Sequence, residues 1–339
     1  MSGREMIKGA IDFRTPSRLP INGFGEVSDT EWLWADEVKP PQAVADPTLD
    51  QWLCRWEKTG LANMGQIKGH PLENLGRMDE YAWPDGADER RFATIRSRLD
   101  ALDADANRRD KYRITPIFML LWERMQALFG FENCMIAMME NDAAIHDLAD
   151  RLTQYDITFI RAMHRIAGDR IDCFNFSEDW GTELDLMISP ELFRSFFFPR
   201  YKKIFAAAHE SGWHVWMHSC GKINKAIPIL IEAGVNVLNM QQPLTNGINE
   251  IGRQFAGKVC FETLCDIQKT LPTGDRAEID RQAGELMRKW GTGAGGFIVG
   301  DYGDPAAIGV DAENKSYMLE SFRRQDPWRH GWTAPTVKA

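Results

Sequence analysis

The sequence predicts an α/β fold, a (β/α)8 TIM barrel with an N-terminal extension over the barrel mouth. Strand-like and helix-like segments alternate four times in the second half of the chain, which is typical of parallel strands joined by right-handed crossovers. A closed barrel and an open doubly wound sheet both fit this alternation. The length of 339 residues suits a barrel, and no GxGxxG motif follows any strand, so we favour the barrel.

The spacing of apolar residues and the positions of Gly and Pro set the predicted elements in order. A long helix over 142–167 comes first, and a helix that begins at Ser189-Pro190 ends before Gly212, with a bend expected at Pro199. The remaining helices are predicted at 223–232, 248–255 and 276–290. The strands are predicted at 171–176, 213–218, 235–240, 258–262 and 296–300.

In the first third of the chain, apolar residues recur less regularly than in the second half. Residues 18–24 are predicted as the first strand, and 114–130 as the end of a strand with a helix behind it. Residues 26–110 are polar and rich in Pro and Trp, which indicates an extension or long loops and hints at an aromatic cleft. We predict one barrel domain over 1–339, with an irregular part and the first barrel elements in 1–110 and the main barrel in 111–325.

Composition excludes several classes of function. The net charge is −9, and a surface of that sign disfavours nucleic acid and anionic membranes. No apolar stretch approaches the roughly 20 residues that span a bilayer, and the N-terminus lacks a signal-peptide core, so we expect a cytoplasmic protein. Six cysteines are too sparse for a disulfide scaffold. The sequence does not indicate an oligomeric state.

Polar residues cluster where the predicted strands end, and the carboxyl ends of the strands form the ligand site of such folds. His218 and Cys220 form the strongest pair, because residues two apart in an extended segment face the same way and imidazole and thiolate both bind Zn²⁺. A catalytic zinc needs a third protein ligand, and the sequence leaves it open. The candidates are Cys260, Glu262, Cys265, Asp301 and Asp304.

Carboxylates and amides at the same strand ends are candidates for catalysis and for binding substrate. Glu178, Asp179 and Glu262 are candidate acids or bases, although the first two also fit an ordinary charge pair at a helix start. The candidate substrate-binding residues are Trp180, Asn239, Gln241 and Asp301. Asn239 and Gln241 share a face, and closure of a turn before Pro243 explains them nearly as well.

Several motifs resemble the uroporphyrinogen decarboxylase superfamily. They are residues 179–182 (DWGT), 188–191 (ISPE), 218–222 (HSCGK), 231–239 (IEAGVNVLN), 266–272 (DIQKTLP) and 295–299 (GGFIV). Residues 16–20 (PSRLP) are similar but weaker, and the resemblance covers about 123–310. It implies a (β/α)8 barrel with one of two activities. These are metal-free decarboxylation of uroporphyrinogen, or zinc-dependent methyl transfer to or from a corrinoid.

Two departures from the family's patterns bear on the choice between these activities. The Arg-x-Ala-Gly-Arg-Tyr pattern of the decarboxylases is absent, and the neutral to acidic segment 22–29 stands in its place. The His-x-Cys pair resembles the methyltransferases. In those that use coenzyme M, the third zinc ligand is a cysteine just after the last strand. This chain has 300–304 (GDYGD) there, with no cysteine, which weakens the case for a thiol substrate.

The leading hypothesis is a zinc-dependent, corrinoid-dependent methyltransferase of the demethylase type. It takes a methyl group from a small O-, N- or S-methyl compound and passes it to a corrinoid (cobalamin) on a partner protein. Asp179, Glu178 or Glu262 supplies the proton to the leaving heteroatom. The alternatives are a metal-free decarboxylase of the uroporphyrinogen type, and a non-catalytic protein that binds a corrinoid or a metal.

Overall fold

The structure is a computed structural model that describes residues 1–23, 26–60 and 65–332. Its strands are β1 (Ile21–Asn22), β2 (Thr30–Trp32), β3 (Arg55–Glu57), β4 (Gln66–Gly69), β5 (Tyr112–Ile117), β6 (Cys173–Ser177), β7 (His214–His218), β8 (Val237–Asn239), β9 (Cys260–Thr263) and β10 (Phe297–Gly300). Eight of them pair in parallel in the order β1, β10, β9, β8, β7, β6, β5, β2, while β3 and β4 form a separate antiparallel hairpin.

Helices connect these strands and cover the outside of the barrel. They are α1 (Gly3–Ile11), α2 (Pro41–Ala45), α3 (Ile95–Ala104), α4 (Trp122–Phe129), α5 (Phe131–Glu140), α6 (Ala143–Ala167), α7 (Pro190–Leu192), α8 (Phe198–Glu210), α9 (Ile227–Ala233), α10 (Pro243–Asn246), α11 (Ile248–Phe255), α12 (Arg276–Trp290), α13 (Ala312–Arg324) and α14 (Pro327–His330). The eight parallel strands and these helices confirm the predicted TIM barrel.

The barrel is nearly closed. Its two ends meet where the backbone N–H of Asp29, just before β2, donates to the carbonyl of Ile21 in β1 at 2.8 Å. Inside, buried side chains from neighbouring strands pack against one another, among them Ile114, Trp216 and Ile298. A filled interior of this kind leaves the loops at the carboxyl ends of the strands as the place for a site.

The N-terminal part of the chain divides between the two ends of the barrel. Helix α1 closes the amino-terminal end, where the N–H of Gly296 donates to the carbonyl of Ala10 at 2.8 Å. Residues between Trp34 and Trp56 line a cavity with residues at the carboxyl end of β5, so this part of the extension does lie beside the mouth. The predicted first strand, 18–24, is only two residues long in the structure, and Phe24 lies outside the described residues.

Two other predictions differ from the structure. Strand β2 and the ten-residue helix α3 both lie within the region predicted as an extension or long loops. The strand was missed because three residues are too few to show an alternating pattern. The helix predicted from Pro190 is divided into α7, a π-helical turn at Phe193–Phe197 and α8. Pro199 lies in the first turn of α8 and has no N–H to donate, which accounts for the break at the predicted bend.

Among the described residues, none of the helices is both long and apolar enough to cross a membrane.

Candidate functional site

Three side chains meet at the carboxyl ends of β6 and β7. The metal-binding atoms of Asp179, His218 and Cys220 all lie within 4.8 Å of one another. His218 Nε2 is 3.4 Å from Cys220 Sγ and 3.5 Å from Asp179 Oδ1. A carboxylate oxygen, an imidazole nitrogen and a thiol sulfur are the donors that zinc takes. All three residues are only partly buried, so a metal held here would keep an open position.

Strand pairing brings these residues together. Ser177, the last residue of β6, pairs with His218, the last residue of β7. Beyond this pair the two loops stay in contact, because the N–H of Cys220 donates to Asp179 Oδ1 at 2.8 Å. The N–H of Gly181 donates to the carbonyl of Cys220 at 3.2 Å. Asp179 is therefore held beside the His-x-Cys pair by backbone contacts.

The close approach of the two loops requires glycine on both sides. Gly221 has a φ of +75°, and a Cβ at this position would lie 2.2 Å from the carbonyl oxygen of Gly181. A Cβ at Gly181 would lie 2.4 Å from the backbone nitrogen of Lys222. A larger residue at either position would push Asp179 away from Cys220.

A buried hydrogen-bond network orients the imidazole of His218. Glu262 accepts from the indole N–H of Trp216 at 2.9 Å and from the amide N–H of Asn22 at 2.8 Å, and it also accepts from Nδ2 of Asn239. Because Nδ2 of Asn239 points at Glu262, its Oδ1 is turned toward His218 Nδ1 and accepts from it. In the neutral ring the proton is thus held on Nδ1, and a metal ion would bind at Nε2 in place of the second proton.

The charges around His218 favour a cation at this point. Burial opposes protonation of the ring, but Cys220, Asp179 and the hydrogen bond to Asn239 outweigh it and raise the pKa of His218 to about 10. The same anionic surroundings that stabilise a proton on the ring would stabilise a metal ion beside it.

A cavity of about 210 Å³ opens next to His218. Of the predicted substrate-binding residues, Asn239, Gln241 and Asp301 line it, and Glu262 lines it as well. Asp301 forms an ion pair with Lys315, with an Oδ1 to Nζ distance of 2.7 Å. These predicted residues are therefore brought to one place, as the strand-end argument required.

Glu178 and Trp180 lie on the other side of the loop from this cavity. The carboxylate of Glu178 accepts the N–H groups at the start of α4, at 2.7–2.8 Å, and the hydroxyl of Tyr201 at 2.8 Å. Burial raises the pKa of Glu178 to about 7, against these hydrogen bonds. The ring of Trp180 is fully buried and stacks on Trp122, with 5.2 Å between ring centroids. Neither side chain is among those that line the cavity.

The structure brings Asp179 to the His-Cys pair in place of the third ligands considered from the sequence. Cys260 is buried inside the barrel, and Cys265 contacts the carbonyl of Ile279 in α12. Asp304 caps a short helical turn by accepting from the N–H of Ala306 at 3.1 Å. Within the described ranges 1–23, 26–60 and 65–332, Asp179, His218 and Cys220 are the one such group of potential metal-binding side chains.

Sequence reasoning missed Glu123, which lies in the first turn of α4. Its Oε2 accepts from the hydroxyl of Ser177 at 2.8 Å. Burial, followed by the negative charges of Asp179 and Glu178, raises the pKa of Glu123 to about 8. Glu123 is therefore a carboxyl group that keeps its proton near neutral pH. A single glutamate in a helix gives no sign of this, because the effect comes from residues of another loop.

Comparison with known proteins settles the family. A model of the family described as "Uroporphyrinogen decarboxylase (URO-D)" matches residues 121–324, more than half of the chain. The chain belongs to this family. The matched region contains Asp179, His218 and Cys220, and it confirms the resemblance found in the sequence motifs. No curated protein matches the chain significantly in sequence.

One solved structure shows the same fold. A methyltransferase from Methanosarcina mazei is similar with a TM-score of 0.65 and 16% identity, over 96% of this chain and 99% of that one. An intracellular xylanase from Thermoanaerobacterium saccharolyticum has a TM-score of 0.37 and 12% identity, with 63% of this chain and 71% of that chain covered. A D-psicose 3-epimerase reaches the same TM-score and identity, over 74% and 84%. TM-scores as low as these do not establish a shared fold.

Proposed function

We propose that this chain is a methyltransferase that takes a methyl group from a small methylated compound and passes it to a corrinoid carried by a partner protein. The observation that supports this proposal most is the group formed by Asp179, His218 and Cys220 at the mouth of the barrel. The family contains such enzymes, as the sequence resemblance implies, and the fold is shared with a methyltransferase from Methanosarcina mazei.

The three side chains fit a zinc ion. They supply one oxygen, one nitrogen and one sulfur donor, and their partial exposure leaves room for a fourth ligand. When bound, zinc would act as a Lewis acid for the heteroatom from which the methyl group departs. The chain's own part is to hold the donors. Asn239 fixes the imidazole through Nδ1, and the N–H of Cys220 fixes the carboxylate of Asp179.

The contacts of the remaining predicted site residues suggest a different role for each. Gln241 and Asp301 line the cavity beside His218 and would contact the methylated compound. Glu262 would hold Asn239 in place as well as line the cavity. Glu178 and Trp180 are buried among groups of the fold, and we leave them out of the chemistry.

The cavity disfavours a decarboxylase that acts on a porphyrinogen. Such a substrate carries many carboxylates, which need arginine or lysine partners. None of the described residues that line the cavity beside His218 is an arginine or a lysine, and Glu262 and Asp301 both contribute carboxylates. A volume of about 210 Å³ also suits a small compound better than a tetrapyrrole.

The test is methyl transfer to a Co(I) corrinoid, followed by its absorbance, with Cys220→Ala beside Cys134→Ala. Cys134 is a buried thiol on α5 and is a control for the loss of any cysteine. We expect Cys220→Ala to be folded, metal-poor and inactive, while Cys134→Ala keeps its zinc and activity. An active, metal-free Cys220→Ala would refute the proposal. Tight corrinoid binding without turnover in the wild type would favour a binding protein.

A further inference from the structure

The segment that follows β8 holds the backbone beside Cys220. Gln242 lies just before α10 and Asn246 at its end, and they are only 4% and 1% exposed. Oε1 of Gln242 accepts from the N–H of Gly221 at 2.6 Å, and Nδ2 of Asn246 donates to the carbonyl of Gly221 at 2.9 Å. Both backbone polar groups of the residue that follows Cys220 are therefore bonded to buried side chains of one short segment.

The neighbouring peptide groups are held as well. The N–H of Ile223 donates to Oδ1 of Asn246 at 3.0 Å, and the N–H of Lys222 donates to the carbonyl of Thr182 at 2.8 Å. Since the N–H of Cys220 also has its acceptor, every backbone N–H from Cys220 to Ile223 is bonded to another loop. Rotation of any peptide in this stretch would therefore break a hydrogen bond.

A carboxylate fixes the amide of Gln242. Nε2 of Gln242 donates to Oε1 of Glu183 at 2.7 Å, and Oε2 of Glu183 accepts from the hydroxyl of Thr245 at 3.1 Å. Because Nε2 of Gln242 is directed at Glu183, its Oε1 is turned toward Gly221. At the other end of the same segment, a carboxylate holds the amide of Asn239 in the same way.

The direction of Cys220 Sγ depends on these contacts. Sγ lies 3.4 Å from Nε2 of His218, and the backbone at Gly221 has a φ of +75°. Without an acceptor on Gln242, the buried N–H of Gly221 would be stabilised by turning toward water, and that rotation moves the peptide that joins Gly221 to Cys220. Loss of a supporting partner typically costs a metal site about 10- to 100-fold in affinity.

We infer that Gln242 is a positioning residue, which together with Glu183 fixes the peptide between Cys220 and Gly221 and thereby directs Sγ toward His218. Neither Gln242 nor Glu183 is among the described residues that line the cavity beside His218, so both act through Cys220. The hold on the peptide stands by itself. The effect on metal binding rests on the proposed function, since it requires the zinc site.

The first test compares Gln242→Leu with Asn236→Leu in the full-length protein. Asn236 is the matched control, because its Oδ1 accepts from the N–H of Val215 at 2.7 Å, at the opposite end of β7. We expect zinc affinity to fall by about tenfold in Gln242→Leu and the thiolate-to-cobalt absorption of the Co(II)-loaded protein to change. Asn236→Leu should keep both. An unchanged affinity and spectrum in Gln242→Leu, or an equal change in Asn236→Leu, would overturn the inference.

Exchange of the two side chains tests the contact between Gln242 and Glu183. Gln242→Glu sets two carboxylates against each other, so zinc affinity should again fall by about tenfold. Glu183→Gln alone should stay close to the wild type, because its amide oxygen still accepts from Gln242. The double variant, Gln242→Glu with Glu183→Gln, restores a donor and an acceptor and should recover the affinity and the cobalt spectrum. A double variant no better than Gln242→Glu would overturn the inference, and this comparison decides the matter if Gln242→Leu does not fold.

Hydrogen exchange of the metal-free protein separates this inference from the proposed function. In Gln242→Leu the amide of Gly221 should exchange about tenfold faster than in the wild type, because it loses its acceptor. Asn236→Leu should leave this rate unchanged. Equal exchange in Gln242→Leu and the wild type would overturn the inference whether or not metal binds. A wild type that binds neither zinc nor cobalt, with faster exchange in Gln242→Leu, would refute the proposed metal site and support the hold on Gly221.

Discussion

The hydrogen bond between Asn239 and His218 should control the zinc affinity of the proposed metal site. In Asn239→Leu the side chain keeps its size, but His218 Nδ1 loses its acceptor and the ring can turn or change tautomer. Removing a partner of this kind costs about 10- to 100-fold in metal affinity, which corresponds to about 1.4–2.8 kcal/mol. Glu262 loses one of its three donors but keeps Trp216 and Asn22.

The assay is competitive titration of zinc against a chromophoric chelator, at a temperature where circular dichroism shows each protein to be folded. Gln241→Leu is the matched control, because it removes an amide from the same cavity wall and leaves the partner of His218 Nδ1 intact. We expect Gln241→Leu to bind zinc within about twofold of the wild type. If Asn239→Leu binds zinc as tightly as the wild type, or if Gln241→Leu loses as much zinc affinity as Asn239→Leu, then Asn239 does not orient His218 for metal binding.

Three other predictions concern the carboxylates around the site. Asp179→Asn keeps an acceptor for the N–H of Cys220 but loses the negative charge. Zinc affinity in the same titration should therefore fall by about tenfold or more. Unchanged zinc affinity would contradict the proposal that Asp179 is a zinc ligand. Glu178→Leu leaves the N–H groups at the start of α4 without their acceptor. The free energy of unfolding, measured in urea, should therefore fall by about 3 kcal/mol or more. A loss under about 1 kcal/mol would contradict the role of Glu178 as a helix cap. The pKa of Glu123 is raised from 4.5 to about 8, so the folded state binds more protons than the unfolded state between these values, and the stability of the metal-free protein should fall as the pH rises from 4.5 to 8. Glu123→Gln should remove this part of the fall, which at about 1.4 kcal/mol per pKa unit is at most about 5 kcal/mol; an unchanged pH profile in the urea midpoint would contradict the buried, protonated carboxyl.

Helices whose ends are marked by a glycine or a capping residue were predicted well. Helices α11 and α12 have the predicted bounds, because Gly247 precedes the first and Asp275 caps the second with its side chain. The short strands at the start of the barrel could not be predicted. β1 and β2 have two and three residues, and their place in the sheet comes from pairing with distant strands.

The candidate site was predicted in part. The period of two in an extended strand was enough to pair His218 with Cys220. Asp179 was singled out as an acid or base, and its place beside Cys220 depends on contacts between loops that follow different strands. Glu178 and Asp179 are adjacent in sequence but point to different surroundings, one to the start of α4 and the other to the metal-binding atoms. The sequence does not show which way each side chain turns once the strand has ended.

We propose that Asp179, His218 and Cys220 bind one zinc ion at the barrel mouth. Zinc X-ray absorption of the purified protein, beside its metal content, tests this most directly. We expect about one zinc per chain, with one sulfur at about 2.3 Å and nitrogen or oxygen donors at about 2.0–2.2 Å, and loss of the sulfur in Cys220→Ala. A zinc without sulfur, or a spectrum that is the same in Cys220→Ala, would contradict it.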